Sequence, residues 1–208
     1  MRAVVRGARS AGAAGARAFV SATPVAGSGV GAAKAAAAAA AVGDIFTPTA
    51  EHGALRSTVR SFVEAEVEPQ ALEWNRKEQF NVALFKKVGE LGLLGITADD
   101  KYGGAGMDTT AVVVAHEEMA ASDPAFTLSY LAHTLLFVNN LNFNGSEAQK
   151  AKYLPGACSG ELLGGMCMTE PSSGTDVLGM RTVAKRQGDG SYRLSGQKMW
   201  ITNGARSE

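Results

Sequence analysis

Two stretches of this 208-residue chain carry side chains suited to holding a polar, planar ligand. The first reads Gly164-Gly165-Met166-Cys167-Met168-Thr169-Glu170-Pro171-Ser172-Ser173-Gly174-Thr175-Asp176. A strand end passing into a turn crowded with hydroxyls and small side chains presents backbone N–H and O–H donors at a mouth, as the polar edge of a ring-shaped cofactor requires. Taken alone, Thr-Glu-Pro-Ser also makes an ordinary capped turn. The second stretch reads Gly196-Gln197-Lys198-Met199-Trp200-Ile201-Thr202-Asn203-Gly204, where alternation along a strand sends Trp200 and Thr202 to one face. An aromatic plane followed two residues on by a hydroxyl can pack against a planar cofactor and bond its edge, and a core Trp beneath a hairpin has the same pattern.

Other reactive side chains point to structure rather than chemistry. Glu117 and Glu118 are adjacent on a helix and diverge, so they read as a solvated face and not as an acid/base pair. Glu170, ahead of Pro171, reads as a structural hydrogen-bond acceptor. His116 and His133 sit in apolar helices without metal-ligand spacing and read as satisfied core histidines, with His133 the one able to approach a ligand pocket. Cys158 and Cys167 lack a CxxC partner and read as unpaired, mostly buried thiols, so no metal site is expected. Arg60 and Lys150 read as solvated charges.

The elements that must position these residues divide into a helical part and a β part. Leu55, Val59, Phe62, Val63 and Val67 recur at helical spacing, which predicts a helix over 49–67 ending before Pro69. Asn81 as N-cap opens a second helix that Gly92 closes. The glycine-rich stretch 92–107 predicts a crossing loop. A third helix starts at Thr109 and stops at Asp123-Pro124, from which a fourth, apolar nearly all round and so expected to be buried, runs to Gly145. Ser146 caps a short helix over 146–153 that Pro155 breaks. Beyond it, 162–168, 182–186 and 192–201 read as strands, the last two joined by the turn 187–191. The expected class is therefore α+β, an N-terminal all-α domain over 44–157 followed over 158–208 by the start of an antiparallel β domain too sparse to close, which favours a fragment of a longer chain.

Composition narrows the function classes. The formal net charge is zero, which gives no electrostatic footprint for nucleic acid. The charge is unevenly spread: residues 1–43 hold Arg2, Arg6, Arg9, Arg17 and Lys34 and no acid, and taking those five from 20 leaves 15 basic against 20 acidic residues. An Arg-bearing, acid-free leader without a continuous apolar core resembles a mitochondrial transit peptide over 1–43 rather than a secretory signal, a low-complexity tail being the other reading. The run of seven alanines, Ala35 to Ala41, is too short to span a bilayer, and no transmembrane segment of about 20 apolar residues is present.

Both stretches, in this order and after a helical preface, resemble the acyl-CoA dehydrogenase family over residues 46–208. Supporting matches are Glu90-Leu91-Gly92-Leu93-Leu94-Gly95-Ile96, Lys101-Tyr102-Gly103-Gly104-Ala105-Gly106 and Asn144-Gly145-Ser146-Glu147-Ala148-Gln149-Lys150-Ala151-Lys152-Tyr153-Leu154-Pro155. Ser129-Tyr130-Leu131-Ala132-His133 with Val138-Asn139-Asn140 resembles the branch that oxidises isovaleryl-CoA in leucine catabolism. The resemblance implies FAD as cofactor, an acyl-CoA thioester as substrate, an electron-transfer flavoprotein as acceptor, a homotetramer and the mitochondrial matrix. It implies that Met166, Cys167, Met168, Thr169, Gly174 and Thr175 line the flavin, that Thr175 also meets the thioester where the family usually has Ser, that Trp200 stacks by the ring, and that Ile201 and Thr202 complete the wall. Ser172-Ser173 departs from the family's usual Gly-Ala or Asn-Ala pair. Leu128, Leu131 and Leu135, on one helical stripe, are candidates to line the acyl chain, and a plain core stripe has the same spacing. The family's catalytic carboxylate and C-terminal helical domain are expected beyond residue 208. A non-catalytic assembly protein on the same scaffold and an acyl-CoA oxidase are the alternative readings.

Overall fold

The structure, a computed structural model, describes residues 45–207, so the expected leader over 1–43 lies outside the described residues. Thr49 opens α1 (Ala50–Phe62) by accepting the His52 N–H. Leu55, Val59, Val63 and Val67 are the buried stripe, and each such side chain contributes about 1.5–3 kcal/mol when fully removed from water. The expected stop before Pro69 does not occur. A wide turn, Val63–Val67, in which the Glu68 N–H reaches back to the Val63 carbonyl, resets the ladder, and α2 (Glu68–Arg76) continues with Pro69 in its first turn, where a missing N–H costs little.

Asn81 caps α3 (Val82–Glu90) through the Leu84 N–H, and Gly92, at φ 75°, ends it as expected. The loop to α4 (Thr109–Ala120) holds two short 3-10 turns, Leu93–Gly95 and Asp100–Tyr102. Asp123 caps α5 (Pro124–Leu131), which passes through a second wide-turned stretch, Ala132–Asn139, into α6 (Asn140–Asn144). This helix is not buried all round: Leu128, Leu136 and Phe143 are exposed, while Tyr130, His133 and Val138 are buried. The capping box of Ser146 and Gln149 opens α7 (Glu147–Ser159), which runs through Pro155 to Gly160 instead of breaking. The carbonyl that Pro155 leaves unpaired, on Ala151, belongs to an exposed residue that water can satisfy.

The main core gathers Val59, Phe85, Leu94, Val114, Met119 and Tyr130, with the Tyr130 hydroxyl donating to the Leu93 carbonyl at 2.7 Å. A second cluster packs Val138, Leu154, Ala157 and Cys158 under Tyr102. The β part is smaller than expected. Among the described residues, β1 (Val183–Arg186) and β2 (Tyr192–Ser195) form a single two-stranded sheet, antiparallel, with Ala184 opposite Leu194. Residues 162–168 form no strand, because their donors turn to the helices: the Leu162 N–H bonds the Gly156 carbonyl at 2.9 Å and the Gly164 N–H bonds His133 Nδ1 at 2.9 Å. β2 stops at Ser195 because Gly196 takes φ 150°, with Thr182 so close that a Cβ would stand 2.2 Å from its Oγ1. The described residues thus form a helical domain with a small antiparallel sheet, and no described helix is long and apolar enough to cross a membrane.

Candidate functional site

Glu170 organises the first motif. Its N–H and carbonyl exchange hydrogen bonds with Ser173 at 2.8 and 3.1 Å, closing the turn, and Ser173 Oγ donates to the Asp176 carbonyl. Its buried carboxylate accepts the N–H groups of Arg181 at 2.7 Å and Thr182 at 2.9 Å and the Lys198 ammonium at 2.9 Å. Thr182 first, then the Arg181 amide and Lys198, hold this carboxyl at about 2, so it is ionised at neutral pH. It is the structural acceptor expected, now with a charged partner.

Lys198 carries the link onward. Its Nζ also donates to the Met168 carbonyl at 2.8 Å, and next to it the Met199 N–H donates to the Thr169 carbonyl at 2.9 Å. Two segments thirty residues apart are therefore stitched side by side at 168–170 and 198–199. Thr169, Ile201 and Thr202 are half-buried beside this seam, as is Met166. Cys167, Met168, Gly174 and Thr175 are exposed, which corrects the burial expected for the Cys167 thiol; Cys158 is buried, and burial pushes its thiol up to about 11.

Trp200 does not reach its place by strand alternation. It adopts φ 58° and is 84% exposed, while Thr202 lies in the turn that follows. A left-handed conformation costs a residue with a Cβ about 1–2 kcal/mol, so this orientation is imposed by the surroundings and not by local preference. The result is a bare indole next to a seam of half-buried hydroxyls.

On the helical side, Leu136, Phe137, Asn140 and Leu141 face Met166 and Cys167 across an open groove of about 380 Å³. The expected leucine stripe does not hold. Leu128 is 56% exposed, whereas Leu135 packs against the main core and Leu131 is half-buried. The wide turns of 132–139 shift the register, and the exposed companion of Leu128 is Leu136, eight residues on, in place of Leu135.

His133 joins the two sides. It is fully buried, with Nε2–H donating to the Ala157 carbonyl at 3.0 Å and Nδ1 accepting the Gly164 N–H at 2.9 Å. The carbonyl can only accept and the amide only donate, so the ring is neutral. Burial, opposed by the Ala157 bond, pushes the imidazole down to about 4 from an ordinary 6.5. Between those values the unfolded chain binds the extra proton, so the contribution is complete above pH 6.5 and is lost as pH falls toward 4, about 3 kcal/mol in all. Urea unfolding between pH 7 and 4 is expected to show this loss, and His133→Gln to remove it. Because His116 is also held down by burial, the difference between the two proteins is the readout, and identical pH slopes would sink the assignment.

The solvated face expected for Glu117 and Glu118 does not hold at Glu118. Glu118 is 8% exposed and accepts Arg56 Nη1, Arg60 Nε and Arg60 Nη2, each at 2.7 Å. His116, expected as a satisfied core histidine, donates through Nδ1 to the Val112 carbonyl at 2.7 Å and packs on Tyr130, while its buried Nε2 has no hydrogen-bond partner.

The described residues thus join a helical domain to a small β unit whose seam presents one exposed indole and several hydroxyls. Residues 49–161 match the acyl-CoA dehydrogenase N-terminal domain and residues 165–208 the acyl-CoA dehydrogenase middle domain, and the chain belongs to the acyl-CoA dehydrogenase family. It is 45% identical over 156 residues to isovaleryl-CoA dehydrogenase, mitochondrial, of Pongo abelii, covering 74% of this chain and 37% of that protein. The protein of the same name from Arabidopsis thaliana is 41% identical, with 74% and 38% covered. Among solved structures, the acyl-CoA dehydrogenase from Geobacillus kaustophilus superposes at a TM-score of 0.71 with 34% identity, covering 76% of this chain and 41% of that one. The acyl-CoA dehydrogenase complexed with FAD from Bacillus anthracis gives 0.70 and 38%, covering 74% and 27%. The chain spans well under half the length of these relatives.

Proposed function

We propose that the protein is a flavin-dependent acyl-CoA dehydrogenase acting on short branched acyl-CoA thioesters, isovaleryl-CoA first among them. It acts in the mitochondrial matrix as a homotetramer and passes electrons to an electron-transfer flavoprotein. The observation that carries this is the seam that stitches 168–170 to 198–199 and, among the described residues, leaves the Trp200 indole exposed beside it. FAD fits that donor set. Trp200 offers an apolar plane of isoalloxazine size, and Thr169, Thr175 and Thr202 offer hydroxyls at its edge. When bound, FAD supplies a hydride acceptor for the substrate β-carbon.

The chain's own residues bind and orient. Thr169 and Thr202 hold the ring edge, Gly174 and Thr175 meet the pocket from the turn, and Cys167 and Ile201 line it. Leu136, on the groove, and the exposed Leu128 are the acyl-chain wall, Leu131 being half-buried and Leu135 packed against the core. Glu170 is not the base that takes the α-proton. Its oxygens are committed to three donors, and a carboxyl held at about 2 is a poor proton acceptor at neutral pH.

Protein expressed from the complete coding sequence, mixed anaerobically with a panel of acyl-CoA thioesters, is expected to lose its oxidised flavin absorbance fastest with isovaleryl-CoA. Transfer to an electron-transfer flavoprotein is read in the same assay. Flavin bound but reduced by no thioester supports a non-catalytic scaffold instead. Trp200→Ala is expected to raise the FAD dissociation constant about thirtyfold, the equivalent of about 2 kcal/mol of lost aromatic burial. Flavin fluorescence quenching measures it, and an unchanged constant removes Trp200 from the pocket.

A further inference from the structure

We propose that Gly164 is the anchor of a two-sided clamp, gripped by His133 at its N–H and by Asn203 at its carbonyl, which makes His133 and Asn203 positioning residues for the cofactor pocket. This rests on the flavin reading given above.

The geometry is specific. The Gly164 N–H donates to His133 Nδ1 at 2.9 Å, and Asn203 Nδ2 donates to the Gly164 carbonyl at 3.1 Å and to the Ser129 carbonyl of α5 at 2.9 Å. A residue's two soft dihedrals lie between its two flanking peptide planes. Holding the N–H of one plane and the carbonyl of the next therefore sets both angles at Gly164, and with them the direction in which Gly165 and Met166 leave the helices. Glycine has the freest dihedrals of any residue, so it is where such a grip has most to restrict. It is also required sterically, since a Cβ at 164 would stand 1.9 Å from Phe137 Cδ1.

The second grip ties in the other motif. Asn203 follows Thr202 and holds φ 66°, a conformation Asn tolerates, so its amide reaches back to α5 and Gly164 at once. A Cβ on Gly165 would stand 2.7 Å from the Thr202 carbonyl, so the two cofactor-facing segments touch directly beside the clamp. His133 is held against Phe85 at 5.0 Å and to the Ala157 carbonyl, which makes one jaw part of the core. The clamp thus transmits the helical domain's position to both Met166 and Thr202.

The test uses protein expressed from the complete coding sequence and the variant Asn203→Gly, which keeps the left-handed backbone and deletes only the side chain. Asn203 does not touch the Gly164 N–H. If the two grips act on one anchor, that amide should nonetheless exchange with deuterium about tenfold faster in the variant, and the FAD dissociation constant should rise by about tenfold, the size expected for two lost hydrogen bonds. Exchange at Val114, in the core of α4, should stay at the wild-type rate. Asn203→Asp, which keeps the shape but replaces the donor with an acceptor, should repeat the pattern if the glycine variant is too unstable to read. An unchanged Gly164 amide overturns the clamp. So does equal acceleration of all amides, which marks a merely structural residue. Should the unmodified protein bind no FAD, the flavin reading falls, and the exchange comparison still decides the clamp.

Discussion

Glu170→Gln is expected to raise the FAD dissociation constant by at least about tenfold and to unstitch the seam between the two motifs. The carboxylate receives the Arg181 N–H, the Thr182 N–H and the Lys198 ammonium, which only an ionised acid can accept together. Glutamine keeps the shape but turns one oxygen into a donor, which then faces donors. Each charge-assisted hydrogen bond is worth about 1.5–3 kcal/mol, so losing even one exceeds the 1.4 kcal/mol of a tenfold change. Lys198, without its counter-charge, is then held only by the Met168 carbonyl at 2.8 Å and a 3.5 Å contact with Met180 Sδ. The Met199 to Thr169 bond beside it loosens too, and Trp200 loses the neighbour that aims it. Fluorescence titration with FAD measures the effect, and the double variant with Lys198→Met should cost less than the sum of the two single changes, because they break one interaction. Wild-type affinity in Glu170→Gln would show that the seam is held by other means.

Glu118→Gln is expected to lower stability by about 2–3 kcal/mol, a drop in Tm of about 5–10 °C for a chain of this size. Here two guanidinium groups share one buried carboxylate and tie α1 to α4. Burial alone would raise the Glu118 carboxyl, but the hydrogen bonds from Arg60 and Arg56 outweigh it and hold it below its ordinary value. Removing one partner of a buried pair leaves the others desolvated and uncompensated, which usually costs about 3–5 kcal/mol; the partial exposure of Arg60 reduces that. The Arg56 Nε is already buried without a partner, so this cluster has little slack. Because the folded carboxyl titrates below the unfolded one, its contribution is present above pH 4.5 and fades as pH falls below it. The melting curves of the two proteins should therefore converge in acid, and a constant gap would exclude an electrostatic origin.

These two residues mark where reading the chain residue by residue succeeds and where it does not. Glu170 was legible as an acceptor because a carboxylate ahead of proline in a turn has a local use. Glu118 was not, since nothing near it in sequence shows that Arg56 and Arg60 lie across from it; the partners are 62 and 58 residues away. The prolines misled for a related reason. A proline rule assumes an unbroken four-residue ladder, and at Pro69 a wide turn at Val63–Val67 had already reset it. At Pro155 the unpaired carbonyl belongs to an exposed residue, so α7 survives.

The sequence by itself determined the family, the order of the helices and their caps at Asn81 and Ser146. Caps, glycine stops and hydrophobic periods act within a turn or two of backbone, so short windows of sequence record them. Only the tertiary structure decided that Lys198 seals the two motifs, that Leu136 replaces Leu135 on the exposed face, that Trp200 stands bare in a left-handed turn, and that His133 and Asn203 converge on Gly164. Each of these depends on groups 28 to 74 residues apart or on a shifted helical register. Such contacts are selected by the energy of the whole packed chain, and no short window carries their signature.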